Sequence, residues 1–182
     1  MKKLRAAVVV SLALVVGGCS EDEPKPSTLP PAPTASASAA QLEPAPQEAA
    51  ADTPAGAAAF ADFFFEELNR AYAERRPEIV TGLATDACKS CAATAADIQR
   101  LRDADHTVAG RRYILSSSEA PPADPDGKTL VDFRFTTDPY VEVDSSGKVA
   151  QEFPEEPTQD GQILLTRVAG AWRADGIRLL DQ

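Results

Sequence analysis

Near His106 the hydrophobic period of this chain changes from three or four residues to two. That change excludes both an all-helical bundle and an all-β sandwich. Helix formers precede it, and short alternating runs separated by turn residues follow it. Helices first and strands afterwards specify an α+β domain, with a curved antiparallel sheet wrapped on N-terminal helices.

In the helical half, Ala57 to Arg76 places Phe60, Phe63, Phe64, Leu68, Ala71 and Tyr72 at spacings of three and four. These make one broad apolar face. Phe65 falls off that stripe and is expected at its border. Pro54 suits a first helical position, with Thr53 or Asp52 as cap. Pro77 opens a short second helix to Leu83, and Asp86 is expected to cap a third running to about Asp103. Cys88 and Cys91 then share one face of its first turn.

In the second half, Arg111 to Ser117 reads as a strand. Leu130 to Thr136 alternates cleanly, with Val131, Phe133 and Phe135 on one side and Asp132 facing out. Tyr140 to Val143 and Lys148 to Phe153 flank the hairpin signal Asp144-Ser145-Ser146-Gly147. Ile163 to Val168 and Trp172 to Leu180 close the chain around Gly170. Glu152, Glu155 and Glu156, among prolines, read as a solvated loop.

Upstream of Ala55 the composition is different. Residues 19–54 are rich in Pro, Ala, Ser and Thr and lack aromatics. Such a segment buries too little surface to offset chain entropy, so it reads as an extended, disordered tether. Before it, Lys2, Lys3 and Arg5 precede an apolar run from Ala6 to Val16, followed by Gly17, Gly18 and Cys19. The run is as long as a signal-peptide core and short for a membrane span. Residues 1–18 are therefore expected to be a lipoprotein signal peptide, with Cys19 as the lipidated residue. The organisation is a signal at 1–18, a tether at 19–54 and an extracellular α+β domain at 55–182. A diacylglyceryl group on Cys19 makes the membrane the expected partner and the outer face of the cell membrane the expected location.

The net charge is -10, and removal of Lys2, Lys3 and Arg5 takes it to -13. An acidic surface argues against nucleic acid as a partner. With Cys19 lipidated, Cys88 and Cys91 remain as a pair, which outside the cell favours a disulfide. A CxxC at a helix start also suits thiol-disulfide exchange, because the helix dipole lowers a thiol pKa. The strand-before, βαβ-after context of thioredoxins is missing. Zinc would need a second CxxC or paired histidines, and His106 is the only histidine. No metal or cofactor is expected. His106, between Asp105 and Thr107, reads as a solvated loop residue. Tyr72, Tyr113 and Trp172 are the residues that would line a cavity within the sheet, with core packing as the alternative.

The Phe-rich first helix, Cys88-Lys89-Ser90-Cys91, Val143-Asp144 with Gly147, Glu152-Phe153-Pro154 and Ala171-Trp172-Arg173 carry a resemblance. Together they resemble an uncharacterised family of actinobacterial lipoproteins with a domain of unknown function. The resemblance covers roughly Ala55 to Leu180. It implies a cone-shaped α+β fold similar to nuclear transport factor 2, and it brings no activity and no functional residues. The function expected is a lipid-anchored cell-envelope module that binds or scaffolds without catalysis. The alternatives are a small-molecule binder or enzyme using the cone cavity, and thiol-disulfide exchange through Cys88 and Cys91.

Overall fold

The computed structural model describes residues 42–180. They belong to one unit, Ser38–Gln182. The expected signal peptide, Cys19 and the first part of the tether lie outside the described residues.

Four helices come first: α1 (Gln47–Ala50), α2 (Pro54–Glu74), α3 (Pro77–Leu83) and α4 (Lys89–Asp103). Seven strands follow: β1 (Thr107–Ala109), β2 (Ile114–Glu119), β3 (Lys128–Thr137), β4 (Tyr140–Val143), β5 (Val149–Phe153), β6 (Glu156–Val168) and β7 (Ala171–Leu179). All strand pairs within the sheets are antiparallel. They form two sheets rather than one, in the orders β2-β3-β6-β7 and β1-β4-β5. The chain is thus α+β with helices before strands, as its periodicity requires.

The first long helix starts where the residues say it should. Thr53 is extended and its Oγ1 accepts from the Gly56 N–H at 3.0 Å, with Pro54 in the first turn. This satisfies one of the donors that a helix start leaves open. Arg75 ends the helix in a left-handed conformation (φ 55°). The third long segment differs from expectation at its start: Cys88, not Asp86, is the N-cap residue of α4.

The core fills the space between α2, α4 and the inner face of the four-stranded sheet. Val131, Phe133 and Phe135 of β3, Ile163 and Leu165 of β6, and Trp172 and Ala174 of β7 are buried. Phe65 is buried rather than marginal. Its ring lies 4.7 Å from Phe133 and 5.6 Å from Tyr113, and Tyr113 lies 5.7 Å from Phe135. The apolar stripe of α2 is wider than a three-and-four pattern suggests, because Tyr113 and Phe133 pack on Phe65 at its border. Gly161 makes room for this packing: a Cβ there would run into the Phe133 ring.

The strand map departs from the sequence in one large respect. β6 begins at Glu156, seven residues before the apolar run that marks it, and pairs with β3 from Glu156 to Thr166. The polar stretch Glu156 to Gln162 is held by cross-strand contacts on its outer face. Arg134 Nε donates to Asp160 Oδ1 at 2.7 Å, and Gln162 Nε2 to Asp132 Oδ1 at 2.6 Å.

The tether boundary at Pro54 is also corrected. From Leu42 onward the chain packs on the domain. Ala49 is buried, and Leu42 and Ala45 pack against the core. Trp172 Nε1 donates to the Ala51 carbonyl at 2.9 Å, and Arg167 Nη1 donates to the Ala50 carbonyl at 3.1 Å. Leu42 sits so close to Gly82 of α3 that a Cβ there would collide with its side chain. The apolar surface that this low-complexity segment lacks is supplied by α3 and β7. A Gly82→Ala chain is therefore expected to lose the Leu42 contact, with new proteolytic cleavage near residue 42 and little change in the core. Limited proteolysis with mass mapping reads this directly.

Candidate functional site

The Cys88-Lys89-Ser90-Cys91 segment forms the first turn of α4. Cys88 and Cys91 are disulfide-bonded, with Cα atoms 5.3 Å apart. Both are buried, at 1% and 2% exposure. The Cys88 sulfur accepts from the Cys91 N–H at 3.2 Å, so it also serves as the helix cap. Between them, Ser90 Oγ accepts from the Ile177 N–H of β7 at 3.0 Å. Upstream, the Thr85 N–H donates to the Ala174 carbonyl at 2.8 Å. β7 is the edge of its sheet, and these bonds satisfy backbone groups that an edge leaves open. The motif thus places a serine hydroxyl on a strand edge, while its sulfurs face the core.

A second cluster joins the helices to the smaller sheet. Tyr72 of α2 donates its hydroxyl to Asp97 Oδ2 of α4 at 3.1 Å. The Arg112 guanidinium lies 3.9 Å from the Tyr72 ring centroid and 4.9 Å from that of Tyr140, and donates to Asp97 at 3.3 Å. Tyr140 in turn stacks on Phe153 of β5 at 4.4 Å. Arg100 donates to Asp97 from Nε at 3.1 Å and reaches both oxygens of Glu142 at 3.1 Å each. His106 Nδ1 lies 2.6 Å from Glu142 Oε1.

The electrostatics of this cluster follow from its geometry. Glu142 is buried at 5% exposure. The hydrogen bonds from Arg100 hold its carboxyl below the usual carboxylate range, against the opposing effect of burial and with further help from His106. An ionised carboxylate only accepts, so His106 Nδ1 carries the shared proton. Burial pushes the Tyr72 hydroxyl well above the ordinary tyrosine range, an effect that the nearby Arg112 charge opposes. Two carboxylates and two guanidinium groups neutralise one another inside the cluster. Tyr72 and Tyr140 cover Arg112, while Arg100 and Asp97 stay partly open to solvent.

Sequence reasoning placed His106 in solvent and did not single out Glu142. The correction has a legible cause. In β4 the alternation puts Glu142 on the same side as Tyr140, and its side chain is buried in the structure. A carboxylate on the buried side of a strand demands a partner, and the single histidine lies just before the strand that pairs with β4.

The residues expected to line one cavity do not come together. Tyr72 belongs to the charged cluster. Tyr113 is packed among Phe65 and Phe135, and its backbone N–H and C=O are both held by the Asn69 side chain, at 3.1 and 2.7 Å. Trp172 lies instead beside a cleft bordered by the Leu42–Ala50 segment, Phe60 and Leu83. Every buried side-chain nitrogen or oxygen among the described residues has a hydrogen-bond partner. Among the described residues no group of three His, Cys, Asp or Glu is arranged to hold a metal ion. No described helix is long and apolar enough to cross a membrane.

Comparison with solved structures finds similar fold plans at low identity. The chain is similar to the intermembrane space region of the chloroplast protein ARC6, at 11% identity and a TM-score of 0.49, covering 69% of this chain and 97% of that one. An NTF2-like protein of unknown function in nutrient uptake from Rhodospirillum rubrum matches at 16% identity and a TM-score of 0.43, over 66% and 98% of the two chains. A protein with a cystatin-like fold from Caulobacter vibrioides matches at 15% identity and 0.41, over 66% and 87%. At these identities none brings a ligand or activity to this chain. A search of curated proteins finds no match. A family model matches residues 33–178, which takes in the folded strap, both clusters and all but the last residue of β7. The chain therefore belongs to the family of unknown function designated DUF6318.

Proposed function

We propose that this protein is a lipid-anchored module of the cell envelope whose folded domain binds or scaffolds without catalysis. The observation that carries the non-catalytic reading is the filled concavity of the four-stranded sheet. Phe65, Tyr113, Phe133 and Phe135 pack ring against ring where a cone-shaped enzyme would hold its substrate. The His106–Glu142 pair has the composition of an acid–base couple. Both oxygens of its carboxylate are already engaged by Arg100, which leaves it poorly placed to take a proton from a substrate. The disulfide reads as a staple, because both sulfurs are buried and Ser90 between them has a structural partner.

The anchor is supported by the basic start, the apolar run and Gly17-Gly18-Cys19. Acyl chains on Cys19 would hold the domain at the membrane surface, at about 0.8 kcal/mol per buried CH₂. The residues between Cys19 and Leu42 would then link the anchor to the folded domain. Fractionation tests this. The native chain is expected in the membrane fraction, resistant to high salt and released by detergent. Cys19→Ala is expected to abolish that retention, and a Cys19→Ala chain that stays membrane-bound contradicts the anchor.

A further inference from the structure

The cleft beside Trp172 has a makeup that the proposed module does not account for. Its volume is about 340 Å³, within the roughly 300–1,000 Å³ of small-molecule sites. One wall is the strap from Leu42 to Ala50, and the other is Phe60, Leu83 and the start of β7. Leu42, Ala45, Phe60, Leu83 and Trp172 make that lining apolar. Trp172 is fixed in place, with its Nε1 bonded to the Ala51 carbonyl and the Arg167 guanidinium 4.9 Å from its ring centroid.

The charged residues of the lining are Arg173 and Glu43. In this acidic chain Arg70, Arg76, Arg100, Arg112 and Arg167 each stand within ion-pair distance of a carboxylate. Arg173 does not. Its one bond among the described residues is from Nη1 to the adjacent Trp172 carbonyl at 3.4 Å. That bond ties the guanidinium to the Trp172 carbonyl, beside a cleft that Arg173 helps to line, and leaves its other donors for a ligand. Glu43 contributes to the field on Arg70, whose main partner is Glu67. An apolar pocket with one uncommitted guanidinium suits a ligand with a hydrocarbon body and a single anionic head.

We propose that this cleft binds a small apolar carboxylate, its hydrocarbon body against Trp172, Phe60 and Leu42 and its carboxylate on Arg173. The strap makes one wall of the site. None of Phe65, Tyr113, Phe133 or Phe135 lines this site, and it does not depend on the anchor or on the scaffold role.

Trp172 is the only tryptophan, so its emission reports on the cleft directly. The test uses the full chain carrying Cys19→Ala, so that no acyl group of its own competes. Sodium decanoate, kept below its micellar range, is titrated while tryptophan emission is followed. Equilibrium dialysis of labelled decanoate measures the same binding independently. Saturable binding by both methods is expected. Arg173→Gln is expected to weaken it at least tenfold, Arg173→Lys to retain part of it, and Glu43→Gln to tighten it severalfold. Decyltrimethylammonium, with the same chain and opposite charge, is expected not to saturate. The proposal is overturned by no saturable binding in dialysis, by Arg173→Gln binding within twofold of the native chain, or by the cationic amphiphile binding equally well.

Discussion

Phe65→Ala is expected to lower the unfolding free energy by about 3–5 kcal/mol, the range for deleting a fully buried aromatic ring. Phe65 is 3% exposed and touches the rings of Phe64, Phe133 and Tyr113. Its loss would open a void between α2 and the sheet, and the rings around it are held by α2, by β3 and by the segment before β2, so they can close it only by shifting those elements. The neighbouring Phe63→Ala provides the control, because Phe63 is only half-buried and contacts Phe60 at 6.2 Å. Its expected cost is less than half that of Phe65→Ala. Chemical denaturation of both variants reads the difference. Equal costs would mean that the concavity is not packed as described. The same vacancy makes Phe65→Ala a test of the filled-cone reading: it is expected to create a site for a small aromatic solute where the native chain offers none.

The second large effect concerns Glu142. Its carboxyl is held below the usual range by Arg100 first and by His106 in addition. A group whose folded pKa is depressed contributes stability above its unfolded pKa and loses it as pH falls through the folded one. The contribution of Glu142 is therefore complete above about pH 4.5, the ordinary value for this group. It declines as the solution is made more acidic. Arg100→Ala removes the bidentate partner and leaves a 5%-exposed carboxylate with His106 alone. Breaking a fully buried pair costs about 3–5 kcal/mol, and Arg100 is half exposed, so the cost lies below that range. His106 still pairs with the carboxylate, so roughly 2 kcal/mol is expected at neutral pH. Glu142→Gln is expected to flatten the loss of stability below pH 4.5. An unchanged acid limb in Glu142→Gln would show that this carboxylate is not what the smaller sheet depends on in acid.

These two residues also show which parts of the molecule could be read from the chain. The order of helices and strands was legible because period three-to-four and period two leave different marks on the sequence. The alternation of Val131, Phe133 and Phe135 placed β3 correctly, since one face of the strand is buried and the other is wet. Phe65 was misplaced at the border because a single helix wheel takes no account of the Tyr113 and Phe133 rings that pack on it. The first half of β6 was missed for a related reason. Glu156 to Gln162 carries polar side chains and a proline, and its pairing is decided by the partner strand and by ion pairs such as Arg134–Asp160. The strap from Leu42 shows the same override. Its composition alone cannot support structure, but the docking surface on α3 and β7 supplies the burial it lacks.

The candidate sites were legible in a more uneven way. Cys88 and Cys91 stood out by spacing, and the pair they form is the one present in the structure. What spacing did not reveal is the role of Ser90, whose hydroxyl occupies the edge of β7. The His106–Glu142–Arg100 chain spans three separate elements, and no local motif reports it. Trp172 was singled out as a cavity residue together with Tyr72 and Tyr113. It borders a cleft, but one built by a segment assigned to the tether.

The reading of this domain as a non-catalytic module meets its sharpest challenge at Cys88 and Cys91, the one motif with the composition of a reactive pair. The decisive measurement is the reduction potential of that pair in the folded protein, with thermal unfolding followed in parallel. A buried staple is expected to have a potential below about -300 mV. Its removal by Cys88→Ala/Cys91→Ala is expected to cost roughly 2 kcal/mol, as the short loop it closes implies, and to lower the melting temperature by several degrees. A potential of about -270 mV or higher, in the range of thioredoxin and more oxidising pairs, with no change in melting on reduction, would contradict the account and make thiol-disulfide exchange the function of this domain.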